Sequence, residues 1–358
     1  MFPSRRTFLT ASLAAATAPS QNTARRERVN LLMIMADQHR GDCLSCDGHA
    51  AVKTPNLDAL ARQGARFRHA YSSTPTCTPA RSGLLTGLSP WNHGMLGYGR
   101  VAPKHAFTKP QALRDAGYFT MAIGKNHFSP QRNPHGYHQL LLDESGRVEA
   151  PEFRSDYRSW FAMQAPHRHP DETGISFNDY RARPYVLPER LHPTVWTGDA
   201  AVNFLNAYDR EQPFYLKVSF ARPHSPYDPP ERIFRQYEGA AIPDRAEAKW
   251  SDRNRPRNND SNEIWRGDLG PDQARHSRQG YYGVVSQVDE QIGRIVETLE
   301  KKKLMDRTLI LYFSDHGDMT GDHHLWRKSY AYEPSARIPM IVRWPDGLIS
   351  AQRGRRDG

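Results

Sequence analysis

Apolar residues in this chain fall into short unbroken runs separated by polar stretches. Val29 to Ala36 reads VNLLMIMA, a run that fits a strand buried on both faces, as in a parallel sheet. Tyr118 to Ile123 (YFTMAI), Phe214 to Phe220 (FYLKVSF), Thr308 to Phe313 (TLILYF) and Ile338 to Trp344 predict four further strands. Between them the spacing turns helical. Thr54-Pro55 opens a helix, with Thr54 as N-cap, Pro55 in the first turn, Leu57, Leu60 and Ala61 as the apolar face and Gly64 as the stop. Pro110 to Ala116 and Thr197 to Tyr208 predict shorter helices. The strongest helix runs from Tyr281 to Lys302, where Tyr281, Val284, Val285, Val288, Ile292, Ile295, Val296 and Leu299 recur at spacings of three and four. Strands alternating with helices, without an internal repeat, predict an α/β fold: a large, mostly parallel sheet flanked by helices. Residues 141–195 and 223–278 are rich in Pro, Arg, Asn and Asp and read as irregular surface segments that shape a substrate site.

Composition narrows the classes. The 358 residues allow about two domains. Apolar residues make up only 38%, but 10% aromatics and seven Trp exclude a disordered polymer. Three cysteines exclude a disulfide scaffold and a multi-zinc array. No apolar run is long enough for a membrane-spanning helix. The net charge of +10 leaves a nucleic-acid partner, an anionic substrate or a targeting segment to consider. Residues 241–280 hold eight Lys/Arg against seven Asp/Glu, a near-neutral balance that argues against a nucleic-acid groove.

Ser4-Arg5-Arg6-Thr7-Phe8-Leu9 is a twin-arginine pattern, followed by a mild apolar run to Ala18 and an Ala16-Thr17-Ala18 cleavage-type site. It predicts an export signal, with the twin-arginine (Tat) machinery as a partner and a periplasmic or extracellular location. Arg5, Arg6, Arg25, Arg26 and Arg28 against Glu27 place +4 of the +10 in residues 1–28. Arg353, Arg355 and Arg356 against Asp357 place another +2 in residues 351–358. The expected organisation is therefore signal and linker (1–28), one catalytic domain (29–350) and a polar tail (351–358). The body carries only +4, a modest excess that suits an anionic ester.

Ligands of parallel α/β sheets bind outside the carboxyl ends of the strands. Those ends carry Asp37-Gln38, then Gly124-Lys125-Asn126-His127, then Arg222-Pro223-His224, then Ser314-Asp315-His316-Gly317-Asp318. Asp37, Gln38, Asp315 and His316 offer oxygen ligands and an imidazole, and hard oxygens suit Ca²⁺ or Mg²⁺. The same residue types also cap strand-to-helix turns. Cys77-Thr78-Pro79-Ala80-Arg81 places a thiol before a helix start. Unpaired N–H groups there favour an anion, and Arg81 adds a fork for a tetrahedral oxyanion. By itself this reads as a low-pKa thiol at an anion site or as a buried structural cysteine. Cys43-Leu44-Ser45-Cys46 reads as a pair of loop cysteines available for bridging after export.

CTPAR followed by LLTG resembles the sulfatase signature C-x-P-x-R. The resemblance runs from Val29 to Trp344 and includes Asp37-Gln38, Thr54-Pro55-Asn56-Leu57-Asp58, Gly117-Tyr118 with Gly124-Lys125 and His127, Pro223-His224 with Pro226, Ser314 to Asp318, and Trp326-Arg327-Lys328. Many family members carry Asp-Asp where this chain has Asp37-Gln38. The resemblance implies a type I sulfatase with an alkaline-phosphatase-like fold, hydrolysing sulfate monoesters to alcohol or phenol and inorganic sulfate. It implies Ca²⁺ (or Mg²⁺) held by Asp37, Gln38, Cys77, Asp315 and His316. It implies conversion of Cys77 to formylglycine by a formylglycine-generating or maturase enzyme. It implies Cys77, Arg81, Lys125, His127, His224 and Lys328 as catalytic residues. In that scheme the hydrated aldehyde attacks sulfur, His224, with Lys328, protonates the leaving oxygen, and His127 takes the proton that lets the hydrate collapse. The substrate would be a sulfated small molecule or saccharide. A phosphonate or phosphate ester hydrolase of the same superfamily is the alternative, as is an inactive sulfatase-like binding protein. Family members continue beyond the strand at Ile338–Trp344 into a smaller C-terminal subdomain, so the resemblance implies that this subdomain is absent here.

Overall fold

The computed structural model describes residues 28–345. The expected signal segment, apart from Arg28, and the expected tail over 351–358 lie outside the described residues. The strands are β1 (Asn30–Asp37), β2 (Ala65–Arg66), β3 (Ala70–Tyr71), β4 (Phe119–Gly124), β5 (Gln139–Leu142), β6 (Phe214–Pro223), β7 (Thr308–Ser314), β8 (Arg337–Ile338) and β9 (Met340–Arg343). Seven form one sheet in the order β2-β9-β7-β1-β6-β4-β5. The run β7-β1-β6-β4-β5 is parallel throughout. At the other edge β9 is antiparallel to β7, and β2 to β9.

The strand expected over Ile338–Trp344 is two strands. β8 pairs with β3 in a separate ribbon, and β9 joins the main sheet. Pro339 stands between them; without an N–H it cannot continue a ladder, so the chain changes sheets there.

The helices are α1 (Pro55–Gln63), α2 (Cys77–Thr86), α3 (Pro90–His93), α4 (Lys109–Asp115), α5 (Asp156–Gln164), α6 (Pro193–Ala207), α7 (Glu231–Phe234), α8 (Gly270–Lys301) and α9 (Glu333–Ala336). Alternate strand residues feed two cores. Leu32, Ile34, Leu216, Val218, Ile123, Ile310 and Tyr312 meet Leu57 and Leu60 of α1, Ala201 and Leu205 of α6, and Val288, Ile292 and Ile295 of α8. Met33, Met35, Ala122, Tyr215 and Phe313 face the other way, toward Leu85 of α2 and Leu113 of α4. Burial on both faces is why these strands are continuous apolar runs. β6 breaks the rule at Lys217 and Ser219, buried polar residues that alternate with Leu216 and Val218.

Two helices begin earlier than their apolar spacing: α6 at Pro193 and α8 at Gly270. The first third of α8 is polar, yet Arg278 is buried because Asp322 and the Thr320 carbonyl accept from its guanidinium. The irregular segments contain α5, α7 and part of β5. Thr54 precedes α1 as expected, but its side chain makes no capping bond. It is engaged by Ser45 and Asp58. The cap comes from Asp289 of α8, whose carboxylate accepts from the backbone N–H of Asn56 at 3.1 Å and of Leu57 at 2.8 Å. Cys43 and Cys46 are free thiols and form no bridge.

Candidate active site

The parallel register brings the carboxyl ends of β4, β6, β1 and β7 to one edge of the sheet. Asp37 ends β1, Lys125 and His127 follow β4, His224 follows β6, and Asp315 and His316 follow β7. α2 starts at this edge with Cys77 and brings Arg81 one turn on. Lys328 arrives on the loop before α9. All ten candidate residues gather here, and none is more than 6% exposed. Gly124 permits the turn out of β4: its φ is 89°, and a Cβ there would collide with the Ser219 carbonyl oxygen. Gln38, His127 and Arg327 also adopt left-handed backbone, at φ 74°, 63° and 66°. Such non-glycine conformations cost about 1–3 kcal/mol each and concentrate at functional sites.

Each central carboxylate divides its oxygens. Asp37 Oδ2 meets Lys125 Nζ at 2.7 Å and Arg81 Nη2 at 3.2 Å. Asp315 Oδ2 meets Arg81 Nε at 2.8 Å. The Oδ1 atoms turn the other way, 3.6 and 3.8 Å from His316 Nε2. Cys77 Sγ lies 3.0 Å from that nitrogen and 3.9 Å from Asp37 Oδ1. His316 Nδ1 is 2.9 Å from the Gly317 carbonyl, which can only accept, so Nδ1 carries a proton and Nε2 faces the cluster. One ligand atom from each of Asp37, Cys77, Asp315 and His316 falls within 4.8 Å of the others. Two buried carboxylate oxygens, His316 Nε2 on a ring fixed through Nδ1 by a carbonyl, and the side chain at 77 make a donor set that fits a divalent cation. Gln38, expected among the ligands, sits beside this group with its carboxamide engaged elsewhere. Its Nε2 donates to Asp318 and its Oε1 accepts from Lys328 Nζ at 2.8 Å, while its backbone N–H donates to Asp315 Oδ1 at 3.1 Å.

Charge follows this packing. Burial pushes the Asp37 carboxyl up, but Lys125, His224, Arg81 and His316 outweigh it and hold the group well below the carboxylate range. Burial lowers the His316 pKa, yet Asp315 and Cys77 bring it up to about 9. Burial and the Asp37 charge raise the Cys77 thiol, while Lys328 and His316 bring it below its ordinary value. His127 is driven well below the imidazole range, first by burial and then by Lys125, Arg147 and Arg81. Its Nδ1 is buried without a partner. His224 is lowered by burial and by Lys328 and Lys125. Its Nδ1 lies 2.9 Å from the Ser225 carbonyl, so Nε2 accepts from Lys328 Nζ at 2.6 Å.

A cavity of about 310 Å³ opens onto Cys77, Lys125, His127, His224 and Lys328. The family model for Sulfatase matches residues 29–355, nearly all of the described chain. The chain belongs to the sulfatase family. Among its relatives, the arylsulfatase of Clostridium perfringens is 36% identical over 340 residues, covering 91% of this chain and 70% of that protein. The choline-sulfatase of Rhizobium meliloti is 30% identical, covering 88% and 62%. The phosphonate monoester hydrolase of Agrobacterium radiobacter, a solved structure, superposes with a TM-score of 0.73 at 29% identity, over 89% of this chain and 68% of that one. The chain thus spans about two thirds of the length of these relatives.

The candidate site also contains residues with no role assigned from the sequence. Glu144 accepts the backbone N–H groups of Asn126 at 2.9 Å and His127 at 3.1 Å, fixing the turn that presents His127. Asp318 receives Gln38 and, at 2.7 Å, the Tyr227 hydroxyl. Lys217 reaches Asn126 Oδ1 at 2.9 Å from inside the sheet. A lysine and a serine inside the otherwise apolar run FYLKVSF were the visible signal for that polar face. Glu144 stands in a segment without periodicity and carried none.

Proposed function

We propose that this sulfatase hydrolyses sulfate monoesters, releasing an alcohol or phenol and inorganic sulfate. The observation that carries the reading is the convergence of Cys77, at the start of α2, with buried cations and histidines around one cavity. Sulfatases as a family depend on a metal and on formylglycine. Here Ca²⁺, with Mg²⁺ as the alternative, would be held by Asp37, Asp315, His316 and residue 77, with Gln38 adjacent, and would supply electrostatic stabilisation of the sulfate oxygens. Conversion of Cys77 to formylglycine by a generating or maturase enzyme would supply a hydroxyl nucleophile in place of the thiol.

The remaining work falls to the chain's own groups. Lys125 stays charged beside Asp37 and, with Lys328, offers ammonium donors to an incoming anion. Arg81 spans both carboxylates and keeps their Oδ1 edges aligned. His127, neutral and with a bare Nδ1, is suited to accept a proton at the nucleophile. The family scheme gives the leaving-group proton to His224. Its lowered pKa and the hydrogen bond from Lys328 support a shared role, with the Lys328 ammonium donating to the leaving oxygen and His224 Nε2 orienting it. A sulfated small molecule or saccharide fits a cavity walled by Tyr98, Phe177 and Trp265.

The superposition with a phosphonate monoester hydrolase favours one second reading, a phosphonate or phosphate ester hydrolase. Matched aryl sulfate and phenylphosphonate esters separate the two: sulfate release by the matured protein, lost in Cys77→Ala, supports the first, and turnover of the phosphonate alone supports the second. The Ser4-Arg5-Arg6-Thr7 segment supports Tat export to the periplasm or beyond. Replacing Arg5 and Arg6 with Lys should retain the protein in the cytoplasm; unchanged export would refute that route.

A further inference from the structure

Four cations line the catalytic cavity, and two are neutralised within it. Lys125 meets Asp37 at 2.7 Å, and Arg147 meets Glu144 at 2.6 Å and also contacts Glu149. Lys328 is held by uncharged partners, Gln38 and His224, and in the proposed reaction it serves the ester's own sulfate. Arg327 is the fourth. Its guanidinium carbon lies 3.9 Å above the Trp265 ring, and Nη2 donates to Asn178 Oδ1 at 2.6 Å. Its Nε is buried without a hydrogen-bond partner. Among the described residues no carboxylate lies within ion-pair distance of it; Glu263 and Asp318 act only at longer range.

A half-buried guanidinium without a counter-anion is costly, and stacking on Trp265 replaces only part of its hydration. Yet the surroundings hold it in place: the left-handed backbone at 327 is fixed by the Met319 N–H, 2.7 Å from its carbonyl. A planar, stacked fork held in one orientation is suited to bidentate capture of a carboxylate or sulfate. The cavity of about 310 Å³ that this fork shares with Lys125 and Lys328 has aromatic walls at Tyr98, Phe177 and Trp265, a size and lining suited to one ring.

We infer that Arg327, stacked on Trp265 and anchored by Asn178, binds a second anionic group on the leaving-group side of the substrate. The preferred esters therefore carry a carboxylate or a further sulfate in addition to the sulfate that is cleaved. This rests on the sulfatase reading and makes Arg327 a specificity residue, with Asn178 as a positioning residue.

The test compares meta-carboxyphenyl sulfate, its neutral isostere meta-carbamoylphenyl sulfate, and resorcinol disulfate, using the full chain matured by co-expression with a formylglycine-generating enzyme. The wild-type protein should favour the charged esters over the carbamoyl ester by about tenfold in kcat/KM, mainly through KM. The carboxylate and disulfate arms show which anion is preferred. Arg327→Met should bring the ratio close to one, Arg327→Lys should keep part of it, and Asn178→Ala should lower it. Equal wild-type kcat/KM for charged and neutral esters overturns the inference without any variant, as does a ratio that survives Arg327→Met. If Arg327→Met does not fold, the wild-type ratio and Asn178→Ala decide. Failure to turn over any of the three esters overturns the sulfatase reading itself; equal turnover of all three overturns this inference alone.

Discussion

Cys77 owes its setting to a helix start and to the side chains packed around it. The Cys-x-Pro-x-Arg spacing puts Arg81 one turn on, where its guanidinium bridges Asp37 and Asp315. Those contacts explain why Arg81 is buried at 3% exposure. The proton-transfer groups lead to two expectations. Lys328 and His224 share one hydrogen bond, so their effects should not add. His224→Ala should slow alkyl sulfates about 10²–10⁴-fold and p-nitrophenyl sulfate far less because its phenolate leaves without a proton. Lys328→Ala should slow both because it also removes an ammonium from the sulfate, and on alkyl sulfates the double variant should be little worse than Lys328→Ala. Additive losses, or equal losses on both esters in His224→Ala, would remove His224 from the leaving-group step. His127 is held well below the imidazole range by burial and by Lys125, Arg147 and Arg81. A base must be unprotonated to act, so activity should fall only as pH drops below the ordinary imidazole value of about 6.5. The acid limb of kcat in the wild-type protein and in His127→Ala measures this. A wild-type limb centred at or above that value would contradict it.

Between elements, the legible features were those fixed by burial on both faces. β1, β4, β6 and β7 are uninterrupted apolar runs because helices cover both sides of the sheet. Features set by a distant partner were not legible. The first third of α8 lacks an apolar stripe because Arg278 is buried through Asp322. β8 and β9 read as one strand because Pro339 acts through backbone pairing. Thr54 occupies the N-cap position of α1, but Asp289 makes the capping bonds from 232 and 233 residues away. For the site, motif spacing placed the strand-end residues together, Asp318 among them, whereas Glu144 and the contacts of Asp318 and Arg327 depend on loop geometry that no periodicity encodes. The distant cap is itself testable. Asp289→Ala leaves the N–H groups of Asn56 and Leu57 without their acceptor, and should cost about 1–3 kcal/mol in urea unfolding. An unchanged midpoint would show that Thr54 or water takes over.

Across the whole molecule, one parallel sheet edge gathers the charged groups whose mutual compensation stabilises them. Asp37 and Asp315 repel one another unless positive charge stands between them, and Arg81, Lys125 and His316 supply part of it. A bound divalent cation would supply more and would stabilise the native state by mass action. Chelation should therefore lower the unfolding temperature and abolish activity, and added Ca²⁺ should restore both; indifference of both to chelation would dismiss the metal. The modest +4 of the body is consistent with an anionic substrate met locally by Lys328 and Arg327 rather than by a broad basic face. The most direct test of the account is inorganic sulfate released from an aryl sulfate by the full chain, after mass spectrometry confirms conversion of residue 77 and with Ca²⁺ supplied. Sulfate should appear in step with the phenol, and Cys77→Ala should release none. No sulfate from fully converted, metal-supplied protein would contradict it.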